Sequence, residues 1–390
     1  MENGITYIGI TNYRNTNQRF GIKDQDRLQH IYVLGKSGTG KSTLLKSMAM
    51  QDILRGNGVC ILDPHGDVAQ EVVQQIPKER MADLIYFNAT DTDNPIAFNP
   101  LYNIPAKYHH LVASGLVAAF KKIWHESWGP RMEYILRYAL LTLLEMPEAT
   151  LLDIQPLLTN KEFRRKVLLF TTQEHILRFW DDEFDKYSPS LRAEAISPIL
   201  NKVGLFTTST PLRRIVGQKK SDLRFGKVMD TRKILVCNLS KGEIGEDACT
   251  LLGSMLVTSL QLAAMHRAHQ PAQTRVPFYA YIDECHSFIT LSVIDILAEA
   301  RKYGLSLFLT HQYIEQLDEK VRAAIFGNVG TIMSFRVGVS DAEYLAREFY
   351  PVFAVEDFVS LPRFSMYLKL MIDGAVSEGF SAVVIHCVTY

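Results

Sequence analysis

Gly35-Lys36-Ser37-Gly38-Thr39-Gly40-Lys41-Ser42 is the stretch that decides the fold: it matches the phosphate-binding pattern G-x-x-x-x-G-K-[ST] directly after the apolar run Ile31-Tyr32-Val33-Leu34. In such a loop the glycines let backbone N–H groups close around phosphates. Lys41 reaches the β and γ oxygens, and the Ser42 hydroxyl ligates magnesium. Ser42-Thr43-Leu44-Leu45-Lys46-Ser47-Met48 continues as a helix whose positive N-terminal end points at the anion. Gly35, Lys36, Ser37, Gly38, Thr39, Gly40, Lys41, Ser42 and Thr43 are therefore the expected nucleotide-binding residues, with ATP and Mg2+ as the ligands.

Outward from the loop, short apolar runs alternate with helical patterns: Ile31 to Leu34, Val59 to Leu62, Leu84 to Phe87, Ile234 to Cys237, Tyr279 to Ile282, Leu305 to Leu309 and Thr331 to Phe335. That alternation predicts an α/β fold with a mainly parallel sheet. From about residue 105 the pattern changes. Met132, Ile135, Leu136, Ala139, Leu140, Leu143 and Leu144 recur at helical spacing until Pro147, and Thr150 with Asp153 and Thr171 with Glu174 read as capping boxes. Residues 105–215 are expected to form an all-α insertion between two parts of one core, 1–104 and 216–390. Near the C-terminus, Met366, Leu368, Leu370 and Ile372 alternate with Tyr367, Lys369, Met371 and Asp373. With a turn at Asp373-Gly374 and the run Ser381 to Ile385, they predict an antiparallel hairpin at the sheet's edge.

A chain of 390 residues with 47% hydrophobic content can bury a large core, and its formal net charge of zero offers no bulk positive field, which counts against a static DNA-coating role. Cys60, Cys237, Cys249, Cys285 and Cys387 are odd in number and widely spaced, as expected of buried thiols in a reducing compartment. Met1-Glu2-Asn3-Gly4 lacks the start of a signal peptide, and the uncharged stretch Ala248 to Met265 carries enough Thr, Ser and Gln to read as a buried core helix. A cytoplasmic chain without a membrane span is the expectation.

A phosphate-loop hydrolase needs a carboxylate at a strand end to hold magnesium, and Phe278-Tyr279-Ala280-Tyr281-Ile282-Asp283-Glu284 supplies one in Asp283. Glu284 is then the candidate to activate the attacking water. One strand later, Gln312 of Thr310-His311-Gln312 is the candidate γ-phosphate sensor. Asp63, in Asp63-Pro64-His65-Gly66-Asp67, either borders the same crevice or simply makes a turn. Arg301, Arg336 and Arg347 are candidates for an arginine supplied to a neighbouring subunit, with Arg301 ranked first at the end of the helix Asp295 to Ala300. Lys161, Arg164, Arg165 and Lys166, with Lys219 and Lys220, are either a solvated surface or a DNA contact.

Taken together, GKSGTGKS, LDPHGD at 62 to 67, NLSKGEIGED at 238 to 247, YIDECHSF at 281 to 288, EARKYGLSLFLTHQ at 299 to 312 and NVGTIMSFRVGVSDAEYLAREF at 328 to 349 resemble the HerA/FtsK branch of P-loop motors, and within it the TraG/TraD-like type IV coupling proteins. The resemblance implies a RecA-like core, a hexameric ring and DNA pumped through its channel by ATP hydrolysis. It places the family's phosphate-binding lysine on Lys41, its magnesium hydroxyl on Ser42, its acidic pair on Asp283 and Glu284, its sensor on Gln312 and its trans arginine on Arg301. The stretch ahead of Gly35 holds neither the membrane helices of conjugative coupling proteins nor room for the β-barrel of HerA motors, so a soluble motor of a mobile element, or of a defence system with a nuclease partner, is expected. Two further readings stay open: an ATPase scaffold that controls a partner effector, and a motor that delivers substrates to a secretion channel.

Overall fold

The seven apolar runs become strands for the reason that made them legible: six are buried along their whole length, as strands covered on both faces must be, while Leu84 to Phe87, at the end of the sheet, is half-buried. A computed structural model describes residues 4–12, 16–291 and 293–385; Met1, Glu2, Asn3 and Cys387 lie outside the described residues. The strands are β1 (Ile5–Thr11), β2 (Arg19–Lys23), β3 (Ile31–Leu34), β4 (Gly58–Asp63), β5 (Leu84–Asn88), β6 (Ile234–Asn238), β7 (Phe278–Ile282), β8 (Leu305–His311), β9 (Thr331–Ser334), β10 (Ser365–Lys369), β11 (Met371–Ile372), β12 (Ala375–Val376) and β13 (Phe380–Val384). Eleven of them form one sheet in the order β2-β1-β13-β10-β9-β3-β8-β7-β4-β6-β5. β9, β3, β8, β7, β4 and β6 pair with one another in parallel, while β9, β10, β13, β1 and β2 are joined by antiparallel pairings. The fold is thus the mainly parallel α/β type with an antiparallel C-terminal hairpin.

Two local expectations are corrected. The hairpin of β10 and β13 is interior, because β13 also pairs with β1, and β2 forms the edge. β1 and β2 are only partly buried, so they lack the continuous apolar run that marks the central strands. The turn at Asp373-Gly374 closes the small β11–β12 ribbon inside the hairpin rather than the hairpin itself. Among the expected caps, Thr150 and Asp153 form a capping box. Thr171 does not: its N–H donates to Leu168 O, ending the preceding helix, and Glu174 instead begins a helix after Gln173.

The chain divides into two compact units, Met1–Tyr86 with Phe225–Asn238 and Ala263–Tyr390, and Phe87–Arg224 with Leu239–Leu262. The second is built of helices, among them His109–Ile123, Pro130–Glu145 and Pro189–Thr208, with Ile135, Leu136, Ala139, Leu140 and Leu143 in its core. It takes in residues ahead of the expected 105 because Phe98 packs edge-on against Phe87 and donates its N–H to Ile215 O at 3.1 Å. It also takes in 239–262, where Thr258 approaches the His109–Ile123 helix so closely that a Cβ on Gly115 would lie 2.4 Å from its methyl group. The stretch Glu246–His269 is long and apolar enough to cross a membrane by length and composition, and 72% of its apolar window is buried inside the protein. The four described cysteines are buried as well.

In the first unit a buried ion network ties the N-terminal strands to the phosphate-loop helix Lys41–Leu54. Arg27 pairs with Asp52 through two hydrogen bonds of 2.7 and 2.8 Å, and Thr6, Tyr281 and Arg55 complete the network. Burial alone would raise the Asp52 carboxyl, but the Arg27 guanidinium, the Tyr281 hydroxyl and Arg55 together outweigh it and hold the group below its ordinary value. Asp52→Ala would leave Arg27 buried without its partner, and a loss of about 3–5 kcal/mol from this unit is expected. Thermal unfolding with hydrogen exchange at β1 and β7 measures it. Because the folded pKa is depressed, the network's contribution is full above the ordinary carboxylate range and is lost as pH falls below it.

Candidate active site

Parallel strands present all their carboxyl ends on one edge, and the order β3-β8-β7-β4 makes four of those ends neighbours. The phosphate loop follows β3, Gln312 follows β8, Asp283 and Glu284 follow β7, and Asp63 ends β4. They line one cavity of about 420 Å3 together with Ser37, Gly38, Gly40, Lys41, Ser42, Thr43, Lys46, His65, Asp67, Glu71, Arg363 and Phe364. Gly35, Lys36 and Thr39 serve the loop's shape instead. A Cβ on Gly35 would lie 2.6 Å from that of Phe335, Lys36 N–H donates to Arg336 O, and the Thr39 hydroxyl donates to Lys36 O at 2.7 Å. Gly40, at φ +132°, has the kind of backbone that favours glycine, and Phe335 and Phe364 crowd its Cβ position.

Lys41 Nζ donates to the carbonyls of Gly35 and Lys36 at 2.5 and 3.2 Å. Burial depresses its pKa, and Glu284 and Asp283 oppose that shift. Asp283 is only 4% exposed; its Oδ1 accepts from the Thr310 hydroxyl and from the Glu284 N–H. Burial pushes its carboxyl up to about 6; the Thr310 bond and Lys41 counter this, while Glu284 and Asp63 add to it. A desolvated carboxylate with so few donors, sharing a cavity with the Ser42 hydroxyl, fits a hard divalent cation such as Mg2+.

Glu284 adopts φ 44° and ψ 52°, a left-handed backbone that costs a non-glycine residue of order 1–3 kcal/mol and persists where a site requires it. Its Oε1 accepts from Gln312 Nε2 at 2.8 Å, and its Oε2 lies 3.4 Å from His286 Nδ1. Behind them, buried His311 hydrogen-bonds the Tyr32 hydroxyl, and burial lowers the His311 pKa to about 3, with His286 adding to the shift. The Asp63 carboxylate accepts from the N–H groups of His65 (2.8 Å) and Ala69 (2.9 Å), so it makes the turn and borders the cavity at once.

Arg301, Arg336 and Arg347 are exposed and none of them lines this cavity; Arg301 sits in the short 3-10 turn Ala300–Tyr303 that follows the helix Val293–Glu299. Of the basic groups, Lys161 and Arg164 pair with Asp185, and Lys219 with Glu148. Lys46, Glu71, Arg363 and Phe364 escaped the reading of the sequence. Lys46 had a signal, being one turn beyond Thr43 on the same helix face; Arg363 and Phe364 had none.

Residues 15–99 match the family model described as Helicase HerA, central domain, and residues 277–349 match the model described as TraM recognition site of TraD and TraG. The type 4 coupling protein DotL of Legionella pneumophila subsp. pneumophila (strain Philadelphia 1 / ATCC 33152 / DSM 7513) is 23% identical over 83% of this chain, which spans 49% of its length. Among solved structures, the bacterial conjugative coupling protein TrwB lacking its first 70 residues is similar over 98% of this chain and 89% of its own, with 15% identity and a TM-score of 0.70. VirB4 of Thermoanaerobacter pseudethanolicus is similar over 99% and 97%, with 14% identity and a TM-score of 0.65. A HerA-type region around the phosphate loop, followed by a TraG/TraD-type region that carries Asp283, Glu284 and Gln312, marks this chain as a P-loop ATPase that resembles the TraG/TraD-type coupling proteins.

Proposed function

We propose that the chain is the cytoplasmic, ring-forming motor of a coupling-type system, which hydrolyses ATP and uses the energy to move DNA. The observation that carries the reading is the convergence of Lys41, Ser42, Asp283, Glu284 and Gln312 on one cavity, with Gln312 2.8 Å from the Glu284 carboxylate. Backbone N–H groups of Gly38 to Thr43 hold the phosphates and Lys41 neutralises the β and γ oxygens. Ser42 and Asp283 hold Mg2+, which supplies charge neutralisation on the transferred phosphate when bound. TrwB, solved with ADP and Mg2+, is similar over 97% of this chain and supports this choice of ligands. Glu284 orients a water and takes its proton as the oxygen attacks the γ-phosphorus and the bond to the β-phosphate oxygen breaks. Gln312 links that carboxylate to the γ-phosphate.

None of the three candidate arginines lines the cavity of its own chain, which suits a role in a neighbouring copy; Arg301 leads on position. DNA contact in this reading is non-specific and made through a local basic surface, because a net charge of zero supplies no bulk positive field. Delivery of a protein substrate to a type IV secretion channel is the second reading, and the match to a type 4 coupling protein over most of the chain favours it. The ATPase rate with and without long double-stranded DNA separates the two. A DNA motor is stimulated, and the stimulation fades between 50 and 200 mM salt, since about six phosphate contacts cost on the order of 10^3 in affinity over that range. A rate indifferent to DNA supports protein delivery, or a scaffold that controls an effector such as a nuclease.

A further inference from the structure

Phe364 has φ 65°, a backbone that a bulky side chain adopts only where its surroundings over-determine it. Two main-chain hydrogen bonds do so here. Its N–H donates to Thr39 O at 2.8 Å, inside the phosphate loop, and its carbonyl accepts from Val384 N of β13 at 3.0 Å. The ring lies so close to Gly40 that a Cβ there would stand 3.1 Å from Cδ1. A strained residue thus pins the junction before β10 against the loop that holds phosphates, and fixes where its neighbour Arg363 leaves the chain.

Arg363 is exposed, lines the cavity, and stacks its guanidinium over the Phe364 ring at 4.6 Å from the centroid. Lys46, another cation lining the cavity, is paired with Glu71, whereas Arg363 has no carboxylate partner among the described residues. A planar guanidinium held on an aromatic face keeps its donor edge free, and that fork matches two phosphate oxygens at once, as an ammonium cannot.

We infer that Arg363 is a second, cis-acting cation for the phosphate chain of the bound nucleotide, mounted by Phe364 against the phosphate loop. The inference rests on the nucleotide-binding reading above. It makes the strain at Phe364 functional, because a looser backbone would let the guanidinium drift from the loop it serves.

The test is calorimetric titration of the full chain and its Arg363→Ala, Arg363→Lys and Lys41→Ala variants with ATP and ADP in the presence of Mg2+, with adenosine as the phosphate-free control. Arg363→Ala is expected to bind ATP and ADP about tenfold more weakly, the scale of one charge-assisted contact, with adenosine unchanged and Arg363→Lys intermediate. Because Arg363 is exposed, its thermal unfolding should match the parent's. If Arg363→Ala binds ATP like the parent while Lys41→Ala does not, the inference falls and the nucleotide site stands. An equal loss for adenosine would move Arg363 to the nucleoside and overturn the phosphate assignment. A parent chain that binds no nucleotide would overturn both.

Discussion

Lys41→Ala is expected to abolish measurable nucleotide binding. The ammonium is buried between the loop carbonyls of Gly35 and Lys36 on one side and the carboxylates of Asp283 and Glu284 on the other. Without it, the polyphosphate would enter a cavity whose innermost charges are negative. Truncating one partner of a desolvated charge pair costs about 2–5 kcal/mol, so a weakening on the order of 10^3 in Kd is expected. The same change removes two hydrogen bonds that hold the loop closed, and faster amide exchange at Gly38 and Thr39 should accompany it. Calorimetry with ATP measures the first effect; near-parental affinity would remove Lys41 from the phosphate-binding role.

Glu284→Gln should leave binding almost intact and stop turnover. The amide is isosteric, keeps an oxygen for Gln312 Nε2 and keeps the left-handed backbone, so the site's geometry is preserved. What it loses is the capacity to accept a proton from water, and general-base catalysis is worth roughly 10^2–10^4 in rate. The neutral side chain also removes one of the charges that raise the Asp283 pKa, although burial, the larger cause, remains. Asp283 is then a better anion at neutral pH, and affinity for Mg-ATP should hold or rise slightly. Single-turnover hydrolysis with the variant reads the chemical step directly. Normal turnover with normal binding would place the base elsewhere in the cavity.

Much of this site was legible in the order of the residues, for a definite reason. The loop Gly35 to Ser42, the acidic pair after β7 and Gln312 after β8 are each local, a turn chemistry directly following a run of buried apolar residues. Parallel strands then carry every such junction to the same edge without further instruction. The apolar runs of the central strands were equally plain, because a strand covered on both faces has no polar alternation to obscure it.

Other features depended on long-range pairing. β1 and β2 are only partly buried and carry a weaker pattern, and only the pairing of β1 with β13 makes them the outer part of the sheet. Thr171 and Glu174 have the spacing of a cap, yet the preceding helix claims the Thr171 N–H first. Phe364 and Arg363 lie in no motif; they reach the phosphate loop because β10, which they precede, lies beside β9, and β9 pairs with β3. What the sequence by itself determined was the class of fold and the chemistry available at each strand end, since both arise from contacts among near neighbours in the chain. Which distant residues complete the cavity was decided only by the tertiary structure, because strand order is a property of the whole sheet and is written in no single segment of it.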